Sequence, residues 1–254
     1  MSPTPDVRHT PVMVAEVLSS LGVRRGGAYI DCTAGEGGHA AAVLRATEPG
    51  PRLLGIDLDT QALDTARRRL QAQGEAVKLE YGSYVDLMRM AGAHGFLQAD
   101  GVLFDLGVSS MQVEAASRGF SFSREGRLDM RFDPAGPRTA FDLVNGLAER
   151  ELADIIYQLG EEPRSRGIAR SIVQARPIET TVELADAVGR AIGRSRSKNV
   201  HPATRTFQAL RMAVNGELDN IREGLEQAIG VLRSGGRLVA IGYHSLEDGL
   251  VKRV

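Results

Sequence analysis

The sequence predicts a doubly wound α/β domain whose parallel sheet is interrupted, after its fourth strand, by an all-helical insert. Three observations carry that reading. Through residues 1–105, short apolar runs alternate with amphipathic helical runs on connections too long for hairpins. From Gln112 to Asn215 helical stripes recur without a convincing strand, and a long helix then leads into one more strand. The 254 residues, 43% of them apolar, suffice for one such domain with an insert and a real core.

The elements follow in order. Thr10 is expected to cap a first helix with Pro11 at its first position and Val14, Val17, Leu18 and Leu21 on the inner face. Gly26 and Gly27 end it before a strand, Ala28 to Asp31. The loop Thr33-Ala-Gly-Glu-Gly-Gly-His39 opens an Ala-rich helix over 40–46. A second strand, Arg52 to Asp57, ends in an acid, and Asp59 or Thr60 caps a helix with Ala62, Leu63, Ala66 and Leu70 inward. Val77 to Tyr81 alternates as a strand should, and Gly101 to Asp105 is another apolar strand ending in an acid. In the insert, Leu152, Ile155, Ile156 and Leu159 form one stripe, and Ile168, Ile172 and Val173 a second. Thr180 and Glu183 make a capping box ahead of Leu184, Val188 and Ile192, and a fourth helix starts at Pro202 with Phe207, Leu210 and Val214 inward. The helix Glu217 to Leu232 runs through Ser234-Gly-Gly236 into a last strand, Arg237 to Tyr243. The expected division is 1–111 with 216–254, and 112–215.

Composition bounds the function. One cysteine, Cys32, rules out a disulfide scaffold and a Cys-based zinc cluster. The five histidines lack metal-ligand spacing, so no metal is expected. The start is Pro-rich and polar, unlike a secretory signal, and no apolar run reaches the roughly 20 residues of a membrane helix. A cytoplasmic location is expected. The net charge of −1 hides an asymmetry: Arg118 to Asn215 holds 16 basic and 12 acidic residues, and Ala187 to Gly216 has six basic residues and no acid. Arg194, Arg196, Lys198, Arg205 and Arg211 are the candidates for a cationic face, whose bland alternative is a solvated helical surface.

In an open α/β sheet, ligands bind outside the carboxyl ends of the strands. Four features fall there: the loop Gly35 to His39, Asp57, Asp105 and His244. The glycines permit close backbone approach, and the helix N-terminus favours an anionic group. Gly35-x-Gly37-x-x-Ala40 also fits a dinucleotide fingerprint, so the loop alone leaves NAD and S-adenosylmethionine both open. Asp57 stands 20 residues beyond Gly37 at a strand end, the spacing of a carboxylate that accepts both hydroxyls of an adenosine ribose. Asp105 either caps the next turn or faces the ligand crevice. His39 either caps or packs, and His244 is as readily a turn residue as a catalytic one, with Ser245 and Asp248 expected to cap the helix that follows.

Seven segments taken together are more specific. His9-Thr-Pro-Val-Met13, Asp31-Cys-Thr-Ala-Gly-Glu-Gly-Gly-His39, Asp105-Leu-Gly-Val-Ser-Ser110, Arg118-Gly-Phe-Ser-Phe122, Leu128-Asp-Met-Arg131, His201-Pro-Ala-Thr-Arg-Thr-Phe-Gln208 and His244-Ser-Leu-Glu-Asp248 closely resemble the bacterial 16S ribosomal RNA (cytosine-N4)-methyltransferases. The resemblance runs from His9 to Arg253. It implies a Rossmann-like class I methyltransferase sheet with an inserted all-helical domain, S-adenosyl-L-methionine as cofactor, and a decoding-site cytidine of 16S ribosomal RNA in the small ribosomal subunit as target. Carried over by position, it puts cofactor contacts on Gly37, Gly38, His39, Asp57, Tyr84, Asp105 and Gln112. Tyr84, where the family often has Phe, would offer an aromatic face to the adenine, or else simply pack in the core.

The sequence departs from the family in three ways. The family usually continues well past Arg253, whereas this sequence stops at Val254, so the terminal antiparallel strands of a class I sheet are expected to be missing. Gly242-Tyr243 replaces the Ser-Phe commonly found before His-Ser-Leu-Glu-Asp. The Asp/Asn-Pro-Pro-aromatic signature of many exocyclic-amine methyltransferases is absent, with Asp105-Leu-Gly-Val in its place. The expected chemistry is in-line transfer of the sulfonium methyl to N4 of an unstacked cytosine, with Asp105 and His244 as the candidate catalytic groups facing the amine. The rival readings are an RNA-binding chain that transfers no methyl and an NAD-dependent oxidoreductase.

Overall fold

The computed structural model describes residues 11–193 and 201–254. In chain order come α1 (Val14–Leu21), β1 (Ala28–Asp31), α2 (Gly38–Thr47), β2 (Arg52–Asp57), α3 (Thr60–Leu70), β3 (Val77–Tyr81), α4 (Leu87–His94) and β4 (Ala99–Asp105). There follow α5 (Ser110–Glu114), α6 (Ala140–Gly146), α7 (Glu149–Gly160), α8 (Ser165–Ala175), α9 (Thr181–Ile192) and α10 (Thr204–Asn215), and then α11 (Glu217–Val231), β5 (Leu232–Ile241) and α12 (Ser245–Val251). Two compact units result, one up to Gly107 together with Asp219–Val254, the other Val108–Leu218.

The first unit is a five-stranded sheet in the order β3-β2-β1-β4-β5, with every pairing parallel. β1, β2 and β4 read as apolar runs because both faces are covered. Ile30, Leu54, Ile56, Val102 and Phe104 pack with Leu87, Met90 and Ala91 of α4 and with Ile221, Leu225 and Ala228 of α11. Tyr29, Leu53 and Leu103 pack on the other face with Val17, Leu21, Val43, Leu44 and Leu70. Each such aliphatic side chain stabilises the fold by about 2 kcal/mol relative to exposure, before entropy is counted. Strand order reverses at β1, so the crevice beyond β1 and β4 is the topological switch point of the sheet. Among the described residues no helix is long and apolar enough to cross a membrane.

The boundaries of α2, β4, α10 and α11 differ from expectation by one or two residues, and three other differences have a visible cause. α1 begins at Val14, because Met13 before it adopts a left-handed backbone (φ 51°). Pro11 instead packs on the start of α2, where a Cβ on Gly38 would lie 3.0 Å from its Cγ. β5 first pairs through Leu232 with Ala99, then resumes at Arg237 beyond an irregularity containing Gly235 (φ 74°), and it stops at Ile241. Tyr243 therefore lies in the loop after the strand. Finally, the cap of α12 is His244, not Ser245: its ring nitrogen accepts the Glu247 N–H.

The second unit is helical around its own core, in which Leu143, Leu152, Ile156, Ile168, Ile172, Leu184, Val188, Phe207 and Leu210 meet. Among its described residues the strand-type pairing is a single bridge, Arg127 with Thr180. Thr180 and Glu183 form the expected capping box. The insert's three sequence segments prove to be one structural knot. The Arg118 guanidinium donates to the carbonyls of Arg131 and Phe132, while Met130 N–H donates back to the Arg118 carbonyl. Phe122 stacks on His201 at 4.3 Å and meets Phe207 edge-on at 5.5 Å.

Candidate active site

Three acids gather at one edge of the first unit. In register, Asp31 ends β1 opposite Gly55 and Leu103, so Asp57 and Asp105 stand two residues further along the flanking strands β2 and β4. The chain leaving β1 passes between them. Asp57 turns toward that loop: one carboxylate oxygen accepts the Gly35 N–H at 2.7 Å and the other the Asp59 N–H at 2.8 Å. Asp59, fully buried, caps α3 through the N–H groups of Gln61 and Ala62. The cap is thus filled independently, and Asp57 stays partly accessible beside the loop.

Asp105 is held from two directions. Its N–H donates to the Thr33 hydroxyl at 2.7 Å, and the Tyr243 hydroxyl donates to its Oδ1 at 2.9 Å. Its Oδ2 lies 3.5 Å from Nε2 of His39, which is buried in the first turn of α2. Asp31 sits beneath, 3% exposed, with Oδ1 accepting the Thr33 N–H at 3.2 Å. Its Oδ2 and the His39 Nδ1 have no hydrogen-bond partner among the described residues. Orphaned buried polar atoms cost free energy and need explanation. Here they cluster at the switch point of the sheet.

The protonation equilibria follow from this crowding. Burial pushes the Asp31 carboxyl up to about 6, with His39 and the Thr33 N–H pulling the other way. For His39 burial works against the charged form, but Asp105 and Asp31 outweigh it and raise the pKa. Burial likewise raises Asp57 against the backbone N–H groups that hold it. A group whose pKa is higher folded than unfolded binds more protons in the native state, so its stabilisation is present at low pH and lost as pH rises. For Asp31 that loss falls between 3.8 and about 6, and for His39 it falls above 6.5. Asp31→Asn keeps the Thr33 contact and removes the buried charge. We therefore expect this variant to melt roughly 3 °C or more above the parent at pH 8, and its melting temperature to depend less on pH. Calorimetric melting across pH 4–8 checks this; parallel curves for the two proteins would contradict it.

The other predicted residues separate by surroundings. Gly37 is demanded by conformation and packing: φ is 78°, and a Cβ there would lie 3.2 Å from Leu70 and 3.3 Å from Ala66. Its N–H donates to the Ala34 carbonyl, so it shapes the loop, while Gly38 beside it is partly exposed. Tyr84 packs edge-on against Phe104 at 5.3 Å, with Gly224 of α11 so close that a Cβ would lie 2.5 Å from its ring. His244 is turned inward, with Nδ1 on the Glu247 N–H at 3.4 Å and Nε2 3.1 Å from the buried Glu247 carboxylate, so its ring organises the loop after β5. Gln112 belongs to the second unit, where its amide oxygen accepts the Ser109 N–H and completes the capping box of α5.

The cationic candidates divide as well. Arg211 is a correction: its guanidinium is spent on both oxygens of Glu217 at 2.7 and 2.8 Å, with both side chains largely buried. A buried bidentate pair of this kind leaves no charge for a phosphate. Arg205 remains 53% exposed and donates to the Glu161 carbonyl. Arg194, Arg196 and Lys198 lie outside the described residues. Sequence reasoning missed Asp31, Thr33 and Tyr243 as parts of the site. Asp31 carried a usable signal, since it is an acid ending an apolar strand just as Asp57 and Asp105 do.

A parallel sheet in this order, with a glycine loop leaving β1 and acids ending the strands on either side, is a Rossmann-like α/β sheet with a ligand crevice at its switch point. The chain belongs to the MraW methylase family, whose model matches residues 6–254. Three curated relatives carry the same name, ribosomal RNA small subunit methyltransferase H. The one from Syntrophobacter fumaroxidans is 48% identical over 99% of this chain and 80% of its own length. That from Dehalococcoides mccartyi is 49% identical over 96% of this chain and 70% of its own length. That from Geobacter sulfurreducens is 50% identical over 96% and 80%.

Proposed function

We propose that this chain transfers a methyl group from S-adenosylmethionine to the N4 amine of a cytidine in the decoding region of 16S ribosomal RNA, within the small ribosomal subunit. The observation that carries the reading is the pair of strand-end acids: Asp57 turned onto the Gly35 N–H, and Asp105 across β1 from it. The relatives' names support the substrate, and the quoted segments support the chosen atom.

The residues present fit the donor. S-adenosylmethionine, when bound, supplies a methyl group activated by a sulfonium cation. Asp31, Asp57 and Asp105 give that edge the negative charge a cation requires, and the loop from Gly35 to His39 brings backbone close to it. Asp57 would accept the ribose hydroxyls, Gly38 and His39 would border the methionine end, and Tyr84 would back the adenine. The N4 lone pair of cytosine is delocalised into the ring, so the amine is a weak nucleophile. Asp105 accepts an N4 hydrogen, localises that pair and receives the proton released as the N4–methyl bond forms. His244 keeps the neighbouring loop in shape. The insert, 112–215, receives the RNA, with Arg194, Arg196, Lys198 and Arg205 as its phosphate contacts.

Calorimetry tests the cofactor assignment. S-adenosylhomocysteine should bind the chain and NADH should not, and Asp57→Ala should weaken S-adenosylhomocysteine by about 100-fold through loss of charge-assisted bonds to the ribose. Comparable binding of NADH, or an Asp57→Ala variant that binds like the parent, overturns it.

A further inference from the structure

We infer that Tyr243 is a positioning residue for methyl transfer: its hydroxyl fixes the Asp105 carboxylate so that an acceptor edge, rather than a freely rotating group, meets the target amine. The inference rests on the proposed role of Asp105 and adds a residue to which nothing above assigns a part in the reaction.

The geometry is specific. Tyr243 Oη donates to Asp105 Oδ1 at 2.9 Å across 138 residues of sequence. Tyr243 is itself anchored, since its backbone N–H donates to the buried Glu247 carboxylate at 2.7 Å. Its ring lies over Gly107, where φ is 92° and a Cβ would be 3.5 Å from Cδ2. Thr33 holds the Asp105 backbone at 2.7 Å, and His39 stands 3.5 Å from Oδ2. Thr33 and Tyr243 thus fix Asp105 at its backbone and at Oδ1, and Oδ2 is the oxygen left to accept from a ligand. Burial and the neighbouring Asp105 raise the Tyr243 pKa above its ordinary value, so the hydroxyl keeps its proton and remains a donor at neutral pH.

A carboxylate locked as an acceptor also discriminates. Cytosine presents an amine at C4, which donates, whereas uracil presents a carbonyl, which would be repelled. Replacing Tyr243 by Phe removes only the hydroxyl. We expect the turnover of Tyr243→Phe on small ribosomal subunits to fall about tenfold, as for loss of one hydrogen bond to a charged group. The KM for S-adenosylmethionine, the affinity for S-adenosylhomocysteine and the melting temperature should match the parent. Tyr243→Leu, which also loses the ring, should lose at least as much turnover. If Tyr243→Phe turns over like the parent while Asp105→Asn is inactive, the hydroxyl has no positioning role and only this inference fails. If Asp105→Asn is fully active, the reading of Asp105 fails first. A Tyr243→Phe protein whose melting temperature or cofactor affinity drops in step with turnover has a structural tyrosine, which also overturns the inference.

Discussion

Asp105→Asn should leave the protein folded and able to bind S-adenosylhomocysteine, and should lower methyl transfer by about a thousandfold, within the usual range for losing a positioned proton acceptor. The substitution is nearly isosteric. The Thr33 hydroxyl accepts from the backbone N–H of residue 105, so the strand end keeps its anchor. The Tyr243 hydroxyl still finds an oxygen at Oδ1. What changes is the other atom: an oxygen 3.5 Å from His39 becomes an amide NH2, which presents a donor where the cytosine amine also donates. Radiolabelled methyl transfer to small ribosomal subunits, with cofactor titration and thermal melting as controls, reads the effect. Turnover within twofold of the parent would remove Asp105 from the chemistry.

Gly119→Ala should destabilise the second unit by about 3 kcal/mol or more and lower its melting temperature by about 10 °C. Gly119 has φ 73°, and a Cβ there would sit 2.2 Å from the Arg127 carbonyl oxygen and 2.8 Å from Asp129 N. Both are backbone atoms, so no side-chain rotation relieves the clash. They belong to the segment that Arg118 ties down through the carbonyls of Arg131 and Phe132. Gly167→Ala is the matched control, because nothing lies within 4 Å of a Cβ there. On an exposed turn of α8 it should be neutral or stabilising by about 1 kcal/mol. Equal melting of the two variants would contradict the packing account of the Arg118-Gly-Phe segment.

The strands β1 to β3 were legible to the residue at both ends, and β4 to within two residues, because β1, β2 and β4 are short apolar runs ending in an acid and β3 alternates apolar and polar residues. Elements of five to seven residues, α5 and α6, were not legible, since one or two turns carry too little periodicity to stand out. The start of α1 depends on a left-handed Met13, which no helix signal announces. In the site, Asp57 and Asp105 could be read because a strand-end acid is a local pattern. The contacts that complete the site are not local. Asp31 feels the His39 charge only after the chain turns back through the loop, and Tyr243 meets Asp105 from the far end of the sequence. Arg211 shows the same limit from the other side. The acid-free stretch of sequence ends at Gly216, and the partner that neutralises Arg211 is the next residue, Glu217. A left-handed turn at Gly216 (φ 60°) brings the two together.

The most direct test is to incubate the purified chain with S-adenosylmethionine and small ribosomal subunits from cells lacking this enzyme, and then to digest the 16S RNA and identify the modified nucleoside by mass spectrometry. The account predicts N4-methylcytidine at a single position in the decoding region, formed by the parent and not by Asp105→Asn. Methylation on a ring carbon or a ribose hydroxyl, or no methylation by a protein that binds S-adenosylhomocysteine normally, would contradict it.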